Sequence, residues 1–144
     1  MHTTHYEQDY FQWLLDQATL LREGSLHLLD REHLVEEIED LGKSERRALE
    51  SDLVVVLMHL LKWVYQPKRR GNSWKYSILE HRRRIQKRLR ESPSLKLFLA
   101  EIFDDTYQDA RVAAAKETEL DLEIFSENSL FSLSEAMDEQ FLPD

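Results

Sequence analysis

The amino-acid sequence predicts an all-α fold, a bundle of four main helices with a C-terminal segment and a short helix packed on it. Two observations carry that expectation. Apolar residues recur at steps of three and four in four separate stretches, the period of a helix with one buried face. Only three glycines and three prolines occur in 144 residues rich in Leu, Glu, Arg, Lys and Ala, and of these six punctuating residues only Gly42 lies inside a periodic stretch.

The elements follow in order, with helices over about 4–23, 31–66, 73–91 and 93–116 and a C-terminal segment 117–144, all in a single domain 1–144. Thr4-x-x-Glu7 reads as a capping box that starts the first helix, and Gly24 ends it. Its apolar positions Tyr6, Tyr10, Trp13, Leu14, Leu20 and Leu21 are expected to form one buried stripe. Asp30 caps the second helix, with Leu29 and Leu34 as a hydrophobic staple, and Pro67 stops it. At the usual rise per residue this helix is about 50 Å long.

The third helix begins around Asn72 or Ser73 and places Trp74, Ile78, His81, Ile85 and Leu89 on one face. Ser92 and Pro93 end it and start the fourth as N-cap and first helical residue. That helix uses Leu95, Leu99, Ile102, Phe103, Ala110, Ala113 and Ala114. Leu120, Leu122, Phe125, Leu130 and Phe131 are too apolar for a free tail, so this segment should lie over the bundle, with a short helix opening at the box Ser132-x-x-Glu135.

Composition excludes several classes of function. With no cysteine there is no thiol catalysis, zinc-thiolate site or disulfide, which fits a reducing cytoplasm. The N-terminus lacks a basic and apolar leader, and the longest uncharged apolar run, Leu53 to Met58, is too short to span a membrane; the expectation is a cytoplasmic protein with no membrane partner. Net charge is −9, unevenly spread. Residues 62–90 hold eleven bases and one acid, a formal +10, and the remainder holds eight bases and twenty-seven acids, a formal −19. Such a split predicts an anionic partner for the basic segment, or acidic segments of the same chain or a second copy lying near it.

Several strings occur together in order: Tyr6-Glu7-Gln8-Asp9 before Trp13, Glu36-Glu37-Ile38-Glu39, His59-Leu60-Leu61-Lys62-Trp63 with Gln66-Pro67, Ser73-Trp74, Arg83-Arg84-Ile85, Ser92-Pro93-Ser94-Leu95 and Phe141-Leu142-Pro143. As a set they resemble a bacterial, largely cyanobacterial family named only as domain of unknown function 29. The resemblance covers nearly the whole chain and implies a helical fold with no assigned activity. Ser126 is a departure, standing where proline is expected in many relatives.

Residues that could carry chemistry cluster on the second and third helices. Glu45, Asp52 and His59 repeat at seven-residue spacing on the apolar side of the second helix. In an antiparallel hairpin turning near Arg70 they would meet the third helix, giving a polar layer with a His59/His81 pair and an Asp52 to Arg88 ion pair. Such a layer serves helix register or, in a functional reading, a metal or proton-handling site. A carboxylate bundle metal site wants Glu-x-x-His on each of two helices, and the chain has none. The acidic string Glu36, Glu37, Glu39 and Asp40 reads as a solvated face pairing with Lys43, Arg46 and Arg47 rather than a divalent-cation site. His2 and His5 read as a frayed end.

Lys68, Arg69, Arg70, Lys75, Arg82, Arg83 and Arg84, interleaved with Trp63, Tyr65, Trp74 and Tyr76, form the candidate anion or nucleic-acid surface, because cations neutralise phosphates and exposed rings stack on bases. The competing reading makes both tryptophans core residues. Neither a Gly-x-Ser-x-Gly elbow nor a Gly-rich phosphate loop is present, so no catalytic residue, metal or cofactor is assigned. The first functional reading is a non-enzymatic helical interaction or regulatory module that binds another protein or forms a homo-oligomer, its Arg-rich third helix meeting acidic helices. The second is a nucleic-acid binder using the segment 62–90. The third is a metal-dependent enzyme centred on His59 and His81.

Overall fold

A computed structural model describes residues 5–144. The fold is all-α: four long helices and one short one, with a 3-10 turn at every junction except that between α3 and α4, and no strand among the described residues. They are α1 (Tyr10–Glu23), α2 (Arg31–Tyr65), α3 (Asn72–Glu91), α4 (Leu95–Thr118) and α5 (Leu133–Met137). The chain falls into two compact units, residues up to 44 and residues 45–144, with α2 contributing to both.

In the first unit, α1 starts later than the Thr4 box suggested. Residues 6–8 form a turn, and Asp9 is the N-cap, its side chain accepting from the Gln12 amide at 3.1 Å. Asp9-x-x-Gln12 is itself a capping sequence, and the nearer carboxylate takes the role; Thr4 and His2 lie outside the described residues. At the other end Gly24 takes φ +75°, its amide bonds Leu21 O at 3.2 Å, and the Ser25 amide reaches Leu20 O at 2.9 Å. These two bonds make a Schellman cap, which needs a residue that enters the left-handed region without cost.

The second unit buries its core between the C-terminal half of α2 (Leu49, Leu53, Val56, Leu57, Leu60, Leu61), α3 (Ile78, Ile85) and α4 (Leu99, Phe103, Tyr107, Ala110, Ala114). Trp63 joins them and Trp74 is half-buried, so the tryptophans serve chiefly as packing. Pro67 ends α2 by opening a 3-10 turn over Pro67–Arg69. Ser92 does not cap α4; its amide is spent closing α3 on Arg88 O at 2.8 Å, and Ser92 to Ser94 form a turn before α4 begins at Leu95.

Past α4 the chain lies on this core, as its apolar content predicted. Phe125, Phe131 and Ala136 are buried, and α5 opens on a complete capping box between Ser132 and Glu135. Ser126 is fixed by two tyrosines: its amide donates to the Tyr65 hydroxyl at 3.0 Å, and its carbonyl accepts from Tyr107 at 2.7 Å. Proline there could not make the first of these bonds.

Candidate functional site

The polar layer on α2 and α3 exists with a different pairing from the one expected. Asp52 is 7% exposed, its Oδ1 3.8 Å from Arg84 Nη1 and 4.0 Å from His81 Nε2. Arg88 instead donates to Glu45 at 3.0 Å. The 3-10 turn at Pro67 sets where α3 begins, and Asp52 meets α3 one turn earlier than a simple hairpin would have it. Burial pushes the Asp52 carboxyl above its ordinary value against the pull of His81, Arg84 and Arg88.

His59 and His81 share no hydrogen bond. Each ring Nδ1–H donates to the carbonyl four residues back on its own helix, Val55 and Ser77, at 2.8 Å. Burial, with repulsion from Lys62 and His81, holds His59 below its usual pKa. Among the described residues no group of three His, Asp or Glu side chains that could hold a metal ion occurs.

The seven cations proposed for anion binding have separate fates. Arg82 is 1% exposed and cannot meet an external anion: its Nε donates to Ala136 O at 2.7 Å, Nη1 to Phe141 O at 2.9 Å and Nη2 to Glu135 O at 3.1 Å. Its spacing with Ile78, Ile85 and Leu89 was the signal that it belongs to the buried stripe, obscured by the neighbouring arginines. Arg70 donates to Trp63 O and Asp144 O, and both it and Lys75 lie over the Trp63 ring. Arg83 pairs with Glu139 at 3.5 Å, and Arg84 with Glu80 at 2.7 Å. Lys68 and Arg69 are exposed on the 3-10 turn. Most of the hydrogen bonds from α3 and the turn before it to the C-terminal segment end on main-chain carbonyls, with Gln86 on Met137 O at 3.1 Å completing the set.

The first unit holds a cluster that sequence reasoning missed. α1 and the start of α2 run antiparallel. Tyr6 and Tyr10 both donate their hydroxyls to Glu37, Trp13 Nε1–H donates to Asp30 at 3.0 Å, and the Asp30 amide donates to Gln17 at 2.8 Å. His33 Nδ1 meets the same Asp30 oxygen as Trp13, at 2.7 Å, and the His33 ring stacks on Tyr6 with centroids 4.1 Å apart. The bond to Glu37 pushes Tyr6 up to about 12, and the Tyr10 and Tyr6 hydroxyls hold Glu37 below the carboxylate range. For Asp30, burial acts upward, but the bonds from His33 and Trp13 outweigh it and lower the pKa, while the same bond raises His33. Glu37 is thus a hydrogen-bond hub and not part of a solvated acidic face.

The apolar stripe of α1 is also not the buried stripe expected. Trp13, Gln17 and Leu20 are buried, while Tyr10, Leu14 and Leu21 are exposed, together with Phe11 and Leu15. On α2, Val35, Ile38 and Leu41 are exposed at 53%, 66% and 68%. Leu14 and Leu21 each follow a buried α1 residue by one position, and Leu34 and Ile38 likewise follow His33 and Glu37. One position is a rotation of about 100°, and in an antiparallel pair the same sense of rotation on both helices opens to the same side. The hairpin therefore carries one continuous apolar face.

Residues 5–142 match the family described as Domain of unknown function DUF29. The chain belongs to this family. All the strings on which the resemblance rested lie within the matched span except Pro143. Membership in DUF29 names no activity, so function rests on the geometry above. No curated protein and no solved structure matches the chain. No helix among the described residues is long and apolar enough to cross a membrane.

Proposed function

We propose that the chain is a non-enzymatic helical interaction module that binds another protein through the apolar face of its N-terminal hairpin. One observation carries the reading: of the sixteen large apolar residues that are exposed among the described residues, ten lie between Tyr10 and Leu41. Contiguous exposed apolar surface in a folded protein marks an interaction site, whereas single exposed apolar residues need no explanation.

The test is a photo-crosslinking residue placed at position 38 and, as a control, at position 87 on α3, in cells producing the full chain. A discrete adduct at 38, absent at 87, is the expected result. Absence of any adduct at 38 removes the reading.

Nucleic-acid binding keeps one specific support, the outward side of α3, where Tyr76 is 68% exposed beside Arg83, Arg84 and Lys87 over a shallow recess of about 300 Å³. A titration with single-stranded DNA at two salt concentrations decides it, since phosphate contacts impose a steep salt dependence.

A further inference from the structure

We infer that the protein bound by the α1–α2 hairpin is a second copy of the same chain, the two copies packing their open faces together about a two-fold axis; this rests on the reading of the chain as an interaction module and names the partner. The hairpin is short of core by itself. Among the described residues up to 44 only Trp13, Gln17 and Leu20 are buried, and residues 38–47 of α2 are exposed on every side of the helix. A bare helical stretch is marginal in water, and packing against another element is what stabilises it.

The spacing of the open positions says what kind of element fits. On α1 they are Phe11, Leu14, Ala18 and Leu21, all exposed; on α2 they are Leu34, half-buried, with Ile38 and Leu41, exposed. Both sets advance by alternating steps of three and four, the heptad rhythm of a seam that packs along another helix at a shallow angle. At about 100° per residue the α1 positions stay within about 80° of arc, and so do those of α2. Extending the α2 seam by the same steps reaches Arg31 at one end and Glu45 at the other. Glu32, Glu36 and Glu39 lie away from it on the far side of α2, and Arg22 stands at the outer edge of the α1 seam, where a long side chain reaches water.

Charge then selects the occupant. Arg31 and Glu45 stand seven residues to either side of Ile38, about 10 Å along the axis in each direction. Arg31 forms no ion pair with any described residue, and Glu45 accepts from Arg88 through Oε2, leaving its other oxygen free. Two α2 helices related by a two-fold axis at Ile38 run antiparallel, with Ile38 against Ile38, Leu34 and Leu41 interleaved, and Arg31 of each copy facing Glu45 of the other. The seam is self-complementary, as a two-fold contact between identical chains requires. Parallel alignment would set arginine on arginine and glutamate on glutamate.

The test is sedimentation velocity of the full chain and its variants, with circular dichroism as the check on helicity. At about 50 μM the unaltered protein is expected at twice the mass of the chain. Ile38→Gln with Leu41→Gln, at positions that are exposed in the single copy, should run as a monomer. Arg31→Glu and Glu45→Arg should each raise the dissociation constant at least about tenfold by opposing like charges, and an equal mixture of the two should recover the dimer, because every junction then joins Arg to Glu. Loss of fold in Glu45→Arg, which also faces Arg88, leaves the Arg31→Glu and Ile38/Leu41 results to decide.

A monomeric unaltered chain overturns the inference, as does a dimer that the Ile38/Leu41 substitutions leave intact or that Arg31→Glu does not weaken. Binding to phosphatidylglycerol vesicles, lost in the Ile38/Leu41 variant, would assign the face to lipid and overturn it too. A crosslinked adduct at position 38 with the mass of two chains supports the second copy. An adduct of another mass from a monomeric chain leaves the interaction module standing and refutes only the self-pairing, whereas no adduct at all removes both.

Discussion

His59 shows how one buried side chain ties stability to pH. Burial lowers its folded pKa below the ordinary 6.5, so the unfolded chain binds the proton more readily than the folded one. The contribution of His59 to stability is therefore whole above 6.5 and declines as pH falls through the lowered folded value. His33 has the opposite sign: its bond to Asp30 raises its pKa, giving stability that is present below 6.5 and lost as pH rises through the raised value. Asp52, raised by burial, likewise stabilises only below its ordinary pKa and loses that contribution as pH climbs through the raised one. Comparing the protein with His59→Gln isolates the first effect. Urea midpoints between about pH 7.5 and about pH 5 should fall less on acidification in the variant, and an identical acid slope would show that His59 binds its proton equally well in the folded and unfolded states. None of these signs was legible in the sequence, because burial sets them for His59 and Asp52 and the hydrogen bond to Asp30 sets that of His33.

At the scale of the element, periodicity located the helices but not what covers them. α2 ended within a residue of its expected limit because Pro67 lacks the amide to continue it. The α1 stripe was legible as apolar, yet of its six members only Trp13 and Leu20 are buried. A three-and-four spacing says that a helix has an apolar side; it does not say that the chain itself supplies a partner for the whole of it. Gly42 follows from the same open geometry. It sits inside α2, exposed, and a Cβ built on it meets nothing within 4 Å. Gly42→Ala should therefore stabilise the helix by about 0.5–1 kcal/mol through lower backbone entropy in the unfolded chain, read as a rise in melting temperature. A fall would mean that the position is crowded in the folded protein.

Across the whole molecule, the distribution of charge invited a surface reading of the cationic segment, and folding put its central arginine to another use. Residues 117–144 contain nine acids and no base, but Arg82 holds that segment by three main-chain carbonyls rather than by carboxylates. Helix ends leave carbonyls to be satisfied from outside, and a planar guanidinium with several donors reaches Glu135 O and Ala136 O in α5 and Phe141 O beyond it together. Arg82→Ala should cost about 3 kcal/mol by leaving buried acceptors unpaired. Limited proteolysis should then cut within residues 125–144 while α2, α3 and α4 keep their helicity. Arg82→Lys, with a single ammonium, should recover only part of the loss. Unchanged protection of the segment in Arg82→Ala would show that Phe125, Phe131 and Ala136 hold it without help.

The sequence by itself determined the all-α class, the number of long helices, most of their ends, the docking of the C-terminal segment and the family, because capping residues, prolines and apolar spacing act within a few positions of where they stand. Tertiary structure alone decided that Asp52 meets Arg84, that Arg82 binds the carbonyls of Glu135, Ala136 and Phe141, that Glu37 gathers two tyrosines and that the hairpin's apolar side stays open. Each of these depends on which side chains approach from distant parts of the chain. Burial, pairing and exposure are properties of that approach, and no local pattern contains them.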